Sequence, residues 1–246
     1  MTKPATTKVL RKVPRASRRQ QYSASTRRAL IDVAAELFTE QGYAGTSLDE
    51  IVAGARVTKG ALYHHFSGKQ ALFESVFEKV EADSAKRIRK VVRVNKDPWE
   101  KALAGLRIFL EVVQEPSYRR IVIQDGPAIL GYERFREQEE RSTFAIVRDI
   151  VSSVLSESTY DLDDSMVETF SRVFFGAMSA AGTTVSVAED PKRASAEVET
   201  AIAFILTGLQ SLAESGIQLP DPDDLVAEDE ESGPDEEPEA DEKSTA

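Results

Sequence analysis

The fold is decided by residues 38–72, which read FTEQGYAGTSLDEIVAGARVTKGALYHHFSGKQAL. Gly42 is placed to end one helix as a C-cap glycine. The SLDE sequence at 47–50 is a capping box that begins a second helix. A short third helix is predicted over 58–66. Three short helices with a tight turn between the second and third indicate a helix-turn-helix.

The third helix has the surface pattern of a recognition helix. At 100° per residue, Ala61 and Leu62 face inward and His65 also turns inward. The outward strip consists of Lys59, Gly60, Tyr63 and His64. A recognition helix places its first residues against base edges in the major groove, where Lys suits guanine or a phosphate. Gly60 costs about 1 kcal/mol relative to Ala in a helix, which a close approach to DNA would explain.

Three helix starts are predicted to contact phosphates. With the first helix beginning near Thr26, Arg27 and Arg28 fall in its first turn, where the helix dipole disfavours cations. A phosphate above that end would explain them, and solubility is the alternative reading. Ser47 and Lys69 begin the second and fourth helices, whose free N–H groups can bind phosphate.

Charge is segregated along the chain, although the net charge is -11. Residues 1–28 hold nine Lys or Arg and no acid, whereas residues 221–246 hold thirteen acids and one Lys. We predict a disordered basic arm over 1–23 and a disordered acidic tail over 219–246. Such ends indicate a nucleic-acid partner. The alternative is that both are merely solvated.

Several function classes are excluded by composition. Cysteine is absent, so disulfides, thiolate zinc sites and cysteine nucleophiles are ruled out. The two histidines are adjacent, and neither a phosphate-binding GxxxxGK loop nor a GxGxxG motif occurs. Glu133, Glu137, Glu139 and Glu140 are interpreted as a solvated helix face. No enzyme, metal or cofactor is therefore predicted.

The chain shows no membrane or export signal. No apolar run approaches the roughly 18 residues that a membrane span needs, and the basic N-terminus lacks the apolar stretch of a signal peptide. A cytoplasmic protein is therefore expected.

An all-α fold is predicted, with about nine helices and no sheet. The helical pattern runs from Thr26 to about Ser215, without sustained alternation of apolar and polar residues. After the fourth helix, helices are predicted over 98–115, 118–123, 131–156, 163–187 and 192–215. The second of these is expected to be broken by Gly126-Pro127.

Residues 38–52 and 57–72 closely resemble the DNA-binding domain of tetracycline-repressor-type (TetR) regulators. The resemblance implies a DNA-binding domain over 24–84, with its motif at 47–66, and a helical ligand-binding and dimerisation domain over 85–218. It also implies which residues line double-stranded operator DNA: Ser47, Lys59, Gly60, Tyr63, His64, His65 and Lys69. Arg27 and Arg56 are added as phosphate contacts.

Arg56 departs from the pattern of the family, which usually has Gly in this turn. If the position needs positive φ, a residue other than Gly is strained there. A contact of the guanidinium with phosphate would be a reason to keep it.

The last two predicted helices carry apolar stripes with small residues. Two such helices from each of two subunits would form a four-helix interface of a homodimer; intrachain packing alone is the alternative. Bulky residues on the helices expected around a cavity are the candidate lining of an effector pocket: Phe109, Tyr132, Phe135, Phe174 and Met178.

The function predicted from these features is sequence-specific transcriptional regulation. The leading hypothesis is a dimeric repressor that a small-molecule effector releases from its operator. The alternative is an architectural or activating DNA-binding protein that needs no ligand.

Overall fold

The computed structural model describes residues 18–156 and 162–216 of the chain. The predicted acidic tail and residues 1–17 of the predicted basic arm lie outside these ranges. Within them every regular element is a helix and no strand occurs, so the all-α prediction is confirmed. None of the helices in the described ranges is long and apolar enough to cross a membrane.

Nine helices follow one another in the described part of the chain. Two of them contain π-helical turns: α6 joins Tyr118–Asp125 (π) to Gly126–Leu130, and α7 carries a π segment at Glu140–Phe144. The bounds are α1 Arg18–Gly45, α2 Leu48–Gly54, α3 Lys59–His65, α4 Lys69–Val92, α5 Pro98–Val112, α6 118–130, α7 132–156, α8 Asp164–Val187 and α9 Pro191–Glu214.

The start of α1 differs from the expectation. The helix begins at Arg18, because no Pro or Gly interrupts the sequence before Gly42. Residues 18–23, expected in the disordered arm, are therefore helical. Arg27 and Arg28 lie in the third turn, and the argument that they oppose the helix dipole is wrong. At the other end Gly42 adopts φ 73° and kinks the helix, which confirms its predicted role.

The expected break at Gly126-Pro127 is also wrong. Gly126 adopts helical φ and ψ, and Pro127 follows it within the same helix. A Cβ on Gly126 would lie 2.8 Å from Cε2 of Phe77, so this glycine serves close packing. The helix ends instead at Gly131, which has φ 77°.

The helix α4 belongs to the cores of both halves of the molecule. Its Leu72 and Phe73 pack with Phe38 and Leu62 of the N-terminal helices, and the same buried cluster continues through Phe77. It extends further to Leu106, Leu110, Ile121 and Val185. Because one apolar core is continuous through α4, a displacement of the C-terminal helices acts directly on the N-terminal ones.

Candidate DNA-binding surface and ligand cavity

The recognition helix α3 presents the faces that the helical wheel predicted. Leu62 is buried, whereas Tyr63 is 58% exposed and Lys59 and His64 also lie at the surface. The hydroxyl of Thr58 accepts the N–H of Ala61 at 3.2 Å and caps the helix. This cap was not predicted, although a Thr before the first helical residue is its usual signal.

Nothing inside the protein requires glycine at position 60. A Cβ placed there would meet only the hydroxyl oxygen of Thr58, at 3.8 Å, which is an ordinary contact. The position is exposed, so an alanine would fit and would favour the helix. The close approach of DNA to the backbone at Gly60 stays a prediction.

Lys59 is held by an acidic neighbour. Its Nζ lies 2.6 Å from Oδ1 of Asp49 in the first turn of α2, and both side chains are about two-thirds exposed. The hydrogen bond to Asp49 raises the pKa of Lys59. To contact a guanine or a phosphate, Lys59 must exchange this carboxylate for the nucleic acid.

His65 is half-buried, in agreement with the wheel. Its ring packs against the rings of His64, at 5.1 Å between centroids, and of Phe66, at 6.3 Å. Burial lowers the pKa of His65, and the charges of His64 and Arg27 lower it further. The pKa of His65 thus lies below that of a free histidine, and its contact with DNA stays a prediction.

Arg27 has a packing role that the sequence did not reveal. Its Nη2 donates to the hydroxyl of Ser75 at 3.0 Å, and its guanidinium lies 5.3 Å from the centroid of the Phe66 ring. These contacts join α1 to α4 and to the residue that follows α3. They account for an arginine at this position without any appeal to the helix dipole. Contact of Arg27 with DNA stays a prediction.

The two predicted phosphate sites at helix starts have the expected positions. Ser47 forms the capping box with Glu50: the Glu50 N–H donates to Oγ of Ser47 at 3.2 Å, and the Ser47 N–H donates to Oε2 of Glu50 at 2.8 Å. Lys69 is the first residue of α4, with its Nζ 4.4 Å from the centroid of the Tyr43 ring. Phosphate contacts of both stay predictions.

Arg56 has φ 54°, the one positive φ among the described residues other than glycine. Left-handed backbone costs an L-residue about 1–2 kcal/mol, so the turn between α2 and α3 is strained, as the sequence indicated. The side chain is exposed, and no ion pair holds it in the described structure.

We expect Arg56→Gly to raise the unfolding free energy by about 1 kcal/mol, or Tm by about 2–4 °C, because the strain is removed. Arg56→Ala is the matched control: it removes the guanidinium and keeps the strain. Both variants should bind operator DNA more weakly if the guanidinium contacts phosphate. Calorimetric melting curves in which Arg56→Gly and Arg56→Ala shift Tm equally would contradict the presence of strain at this position.

The C-terminal helices enclose a cavity of about 310 Å³. Four of the five residues predicted for the pocket lie on its wall, namely Phe109, Phe135, Phe174 and Met178. Tyr132 does not: it begins α7 after the turn at Gly131, is 74% exposed and packs on Arg136. Trp99 also lines the cavity. Binding of a ligand by these residues stays a prediction.

A polar cluster that was not predicted lies beside this cavity. Glu81 of α4 is 3% exposed, accepts the Tyr118 hydroxyl at 3.0 Å and also bonds to Ser142. Burial raises the pKa of Glu81. Glu139 lines the cavity, and burial together with the charge of Glu81 raises its pKa to about 7. The interpretation of Glu139 as part of a solvated face is wrong.

The helix α6 connects the cavity to the N-terminal helices. Its Val122, Ile123 and Pro127 line the cavity. On its other side Asp125 accepts the backbone N–H of Tyr43 at 2.8 Å, and Arg120 packs on the kink at Gly42, where a Cβ would collide with its guanidinium. A change in the cavity therefore has a direct mechanical route to the end of α1.

No group of three or more His, Asp or Glu in residues 18–156 and 162–216 is arranged to hold a metal ion. The polar side chains on the cavity wall are a carboxylate and several hydroxyl groups. The arrangement can bind an apolar molecule with a few polar groups.

Comparison with known proteins gives matches to both halves. The model of bacterial regulatory proteins of the tetR family matches residues 30–76, and that of the tetracyclin repressor-like C-terminal domain matches residues 99–209. The transposon Tn10 TetC protein of Escherichia coli is 30% identical over 149 residues, covering 60% of this chain and 75% of TetC.

Two further proteins are similar to this chain, one in sequence over a shorter stretch and one in three-dimensional structure. The HTH-type transcriptional regulator AcrR of Shigella flexneri is 43% identical over 68 residues, covering 28% of this chain and 32% of AcrR. The crystal structure of a TetR-family transcriptional regulator from Pectobacterium atrosepticum superposes with a TM-score of 0.68 at 28% identity. It covers 79% of this chain and 97% of that one.

Proposed function

The chain belongs to the TetR family of bacterial transcriptional regulators, and from this premise we propose that it is a dimeric repressor released from operator DNA by a small molecule. The observation that carries the proposal is the position of the cavity. Its wall includes α6, and the opposite side of α6 holds the end of α1 through Asp125 and Tyr43. A ligand in the cavity and DNA on α3 thus act on one connected body.

The cavity favours this reading over an architectural or activating protein that needs no ligand. Such a protein gains nothing from an internal void, because the side chains that line a void have no atoms to contact on one side and lose dispersion energy. A ligand that fills the void recovers those contacts. It shifts the protein toward whichever arrangement of helices fits it better, in proportion to its affinity ratio for the two states.

A homodimer is supported by two matching exposed stripes. On α8 the exposed residues Val173, Gly176, Ala177 and Ala180 recur at i, i+3, i+4 and i+7. On α9 the same spacing is taken by Ala201, Phe204, Ile205 and Gly208. Phe204 is 79% exposed, and a Cβ at Gly176 or Gly208 would meet no atom within 4 Å. A second copy would bury these stripes in a four-helix interface.

Gly182 of α8 does not belong to the exposed stripe and faces the other way. It is buried, and a Cβ there would lie 3.0 Å from Cζ of Phe109 on α5. Its role is packing within the chain.

We expect Phe204→Asp to weaken dimerisation by about 2 kcal/mol or more, because it buries a charge at the centre of the proposed interface. Val94→Asp is the matched control, since Val94 is 78% exposed just beyond the end of α4 and away from both stripes. Sedimentation velocity over a concentration series measures the change. Equal dimer constants for the two variants would contradict the interface on α8 and α9.

The proposed function is tested by fluorescence anisotropy with the DNA upstream of the protein's own gene. Specific binding is expected to be tighter than binding to shuffled DNA by about a thousandfold or more. A screen of small molecules by Trp99 fluorescence then finds cavity ligands, and these are added to the DNA complex. Release of DNA supports the repressor. A ligand that fills the cavity and leaves DNA affinity unchanged would contradict ligand release.

A further inference from the structure

We propose that the cavity selects a ligand with an apolar body and one protonated amine, which pairs with the carboxylate of Glu139. The inference rests on the proposed function, in which this cavity is the effector site, and it adds the chemical class of the effector. It follows from the distribution of charge on the cavity wall and from the contacts that Glu139 lacks.

The cavity wall has one carboxylate and no cation. Its lining is dominated by aliphatic and aromatic side chains, and it includes no Lys, Arg or His among the described residues. Glu139 supplies the carboxylate, and Tyr118 is the other ionisable group on the wall. An anionic ligand would find no counter-charge here and would face Glu139 and the buried Glu81 behind it.

The carboxylate of Glu139 forms no hydrogen bond and no ion pair within the described structure, whereas the charged side chains around it are already paired. The Tyr118 hydroxyl donates to Glu81. Arg136, on the same helix, pairs with Glu140 at 3.1 Å, and Arg134 pairs with Glu74 and Glu137. A half-buried carboxylate without a hydrogen bond is costly, and a ligand that brings a charged donor removes that cost.

The groups facing Glu139 give the proposed pairing a characteristic pH dependence. The ionisation of Glu139 is opposed by the negative charges of Glu81 on α4 and Glu140 on α7, and it is favoured by Arg136. Tyr118 of α6 also faces this carboxylate, and burial together with the charge of Glu139 raises the pKa of the phenol. Its pKa of about 7 means that about a tenth of the sites are ionised at pH 6 and about nine-tenths at pH 8. An amine that binds the ionised form should therefore bind about tenfold tighter at pH 8 than at pH 6.

Three probes of one shape and different charge test the proposal. Naphthalenemethylamine, naphthalenemethanol and naphthalenecarboxylate are titrated into the full-length protein by isothermal calorimetry. The amine is expected to bind at least about tenfold tighter than the carboxylate at pH 8, with the alcohol between them. The amine should show the tenfold pH dependence, and the alcohol should not. Equal or tighter binding of the carboxylate, or no binding of any probe, would overturn the proposal.

Variants of α7 assign the effect to one side chain. Glu139→Gln should abolish the preference for the amine and its pH dependence while leaving the affinity for the alcohol within about twofold. Glu133→Gln, at an exposed position of the same helix, should leave all three affinities unchanged. An amine preference that survives Glu139→Gln would overturn the assignment.

The outcome is independent of DNA binding. If Glu139→Gln does not fold, the comparison of the three probes on the unaltered protein still decides the proposal. If the protein fails to bind its upstream DNA, the proposed function fails while the charge preference of the cavity stands or falls by itself.

Discussion

Replacing Lys59 or Tyr63 with alanine is expected to weaken operator binding by about 1–3 kcal/mol each, or about 5- to 150-fold. Both side chains project from the exposed face of α3, and neither contributes to the core. Tyr63 offers a large aromatic surface and a hydroxyl, and Lys59 a charge suited to guanine or phosphate. The unfolding free energy should change by less than about 0.5 kcal/mol in both variants.

The matched controls for these two variants lie on other elements. Tyr132→Ala removes an equally exposed tyrosine, at the start of α7. Lys79→Ala removes a lysine of α4 whose Nζ, like that of Lys59, lies near a carboxylate, at 3.6 Å from Asp32. Anisotropy titrations should show near-normal affinity for both controls. Unchanged affinity of both α3 variants would mean that α3 is not the element that reads DNA.

A third variant, Asp49→Asn, is expected to strengthen DNA binding. Asp49→Asn removes a negative charge beside the predicted DNA surface and frees Lys59 from its ion pair, so DNA affinity should rise a few-fold. The gain should shrink as salt increases, since both effects are electrostatic. A loss of affinity in Asp49→Asn would mean that the pair positions Lys59 for DNA instead of competing with it.

Asp125→Ala is expected to lower the unfolding free energy by about 1–3 kcal/mol and to weaken the coupling between cavity and DNA. The backbone N–H of Tyr43 loses its acceptor, and Arg120 loses a carboxylate 3.3 Å away. With that hydrogen bond gone, a movement of α6 displaces the end of α1 less. Urea unfolding measures the first effect. The second is the loss of operator release by a ligand found through Trp99 fluorescence.

A second aspartate provides a matched control for this effect. Asp97 also accepts a single backbone N–H at 2.8 Å, from Glu100 at the start of α5. Asp97→Ala should cost about 0.5–2 kcal/mol of stability, as lost caps do, and should leave ligand release intact. If both variants lose release to the same degree, lost stability and not the link through α6 is the cause.

The three N-terminal helices, the start of α2 and the glycine that ends α1 were predictable because their signals are local. The capping box at Ser47 and Glu50, the glycine at position 42 and the inward turn of Leu62 each depend on residues a few positions apart in the chain. The positive φ at Arg56 was also predictable, through the resemblance of its turn to one that usually holds glycine.

The lining of the cavity was decided by tertiary packing. Tyr132 and Glu139 lie on one helix, and the large aromatic residue faces solvent while the carboxylate faces the void. Sequence ranks residues by polarity, and it would place them the other way round. The packing of whole helices decides which side of α7 meets α4. The carboxylates of Glu81 and Glu139 are tolerated there because the rest of the interface buries enough apolar surface.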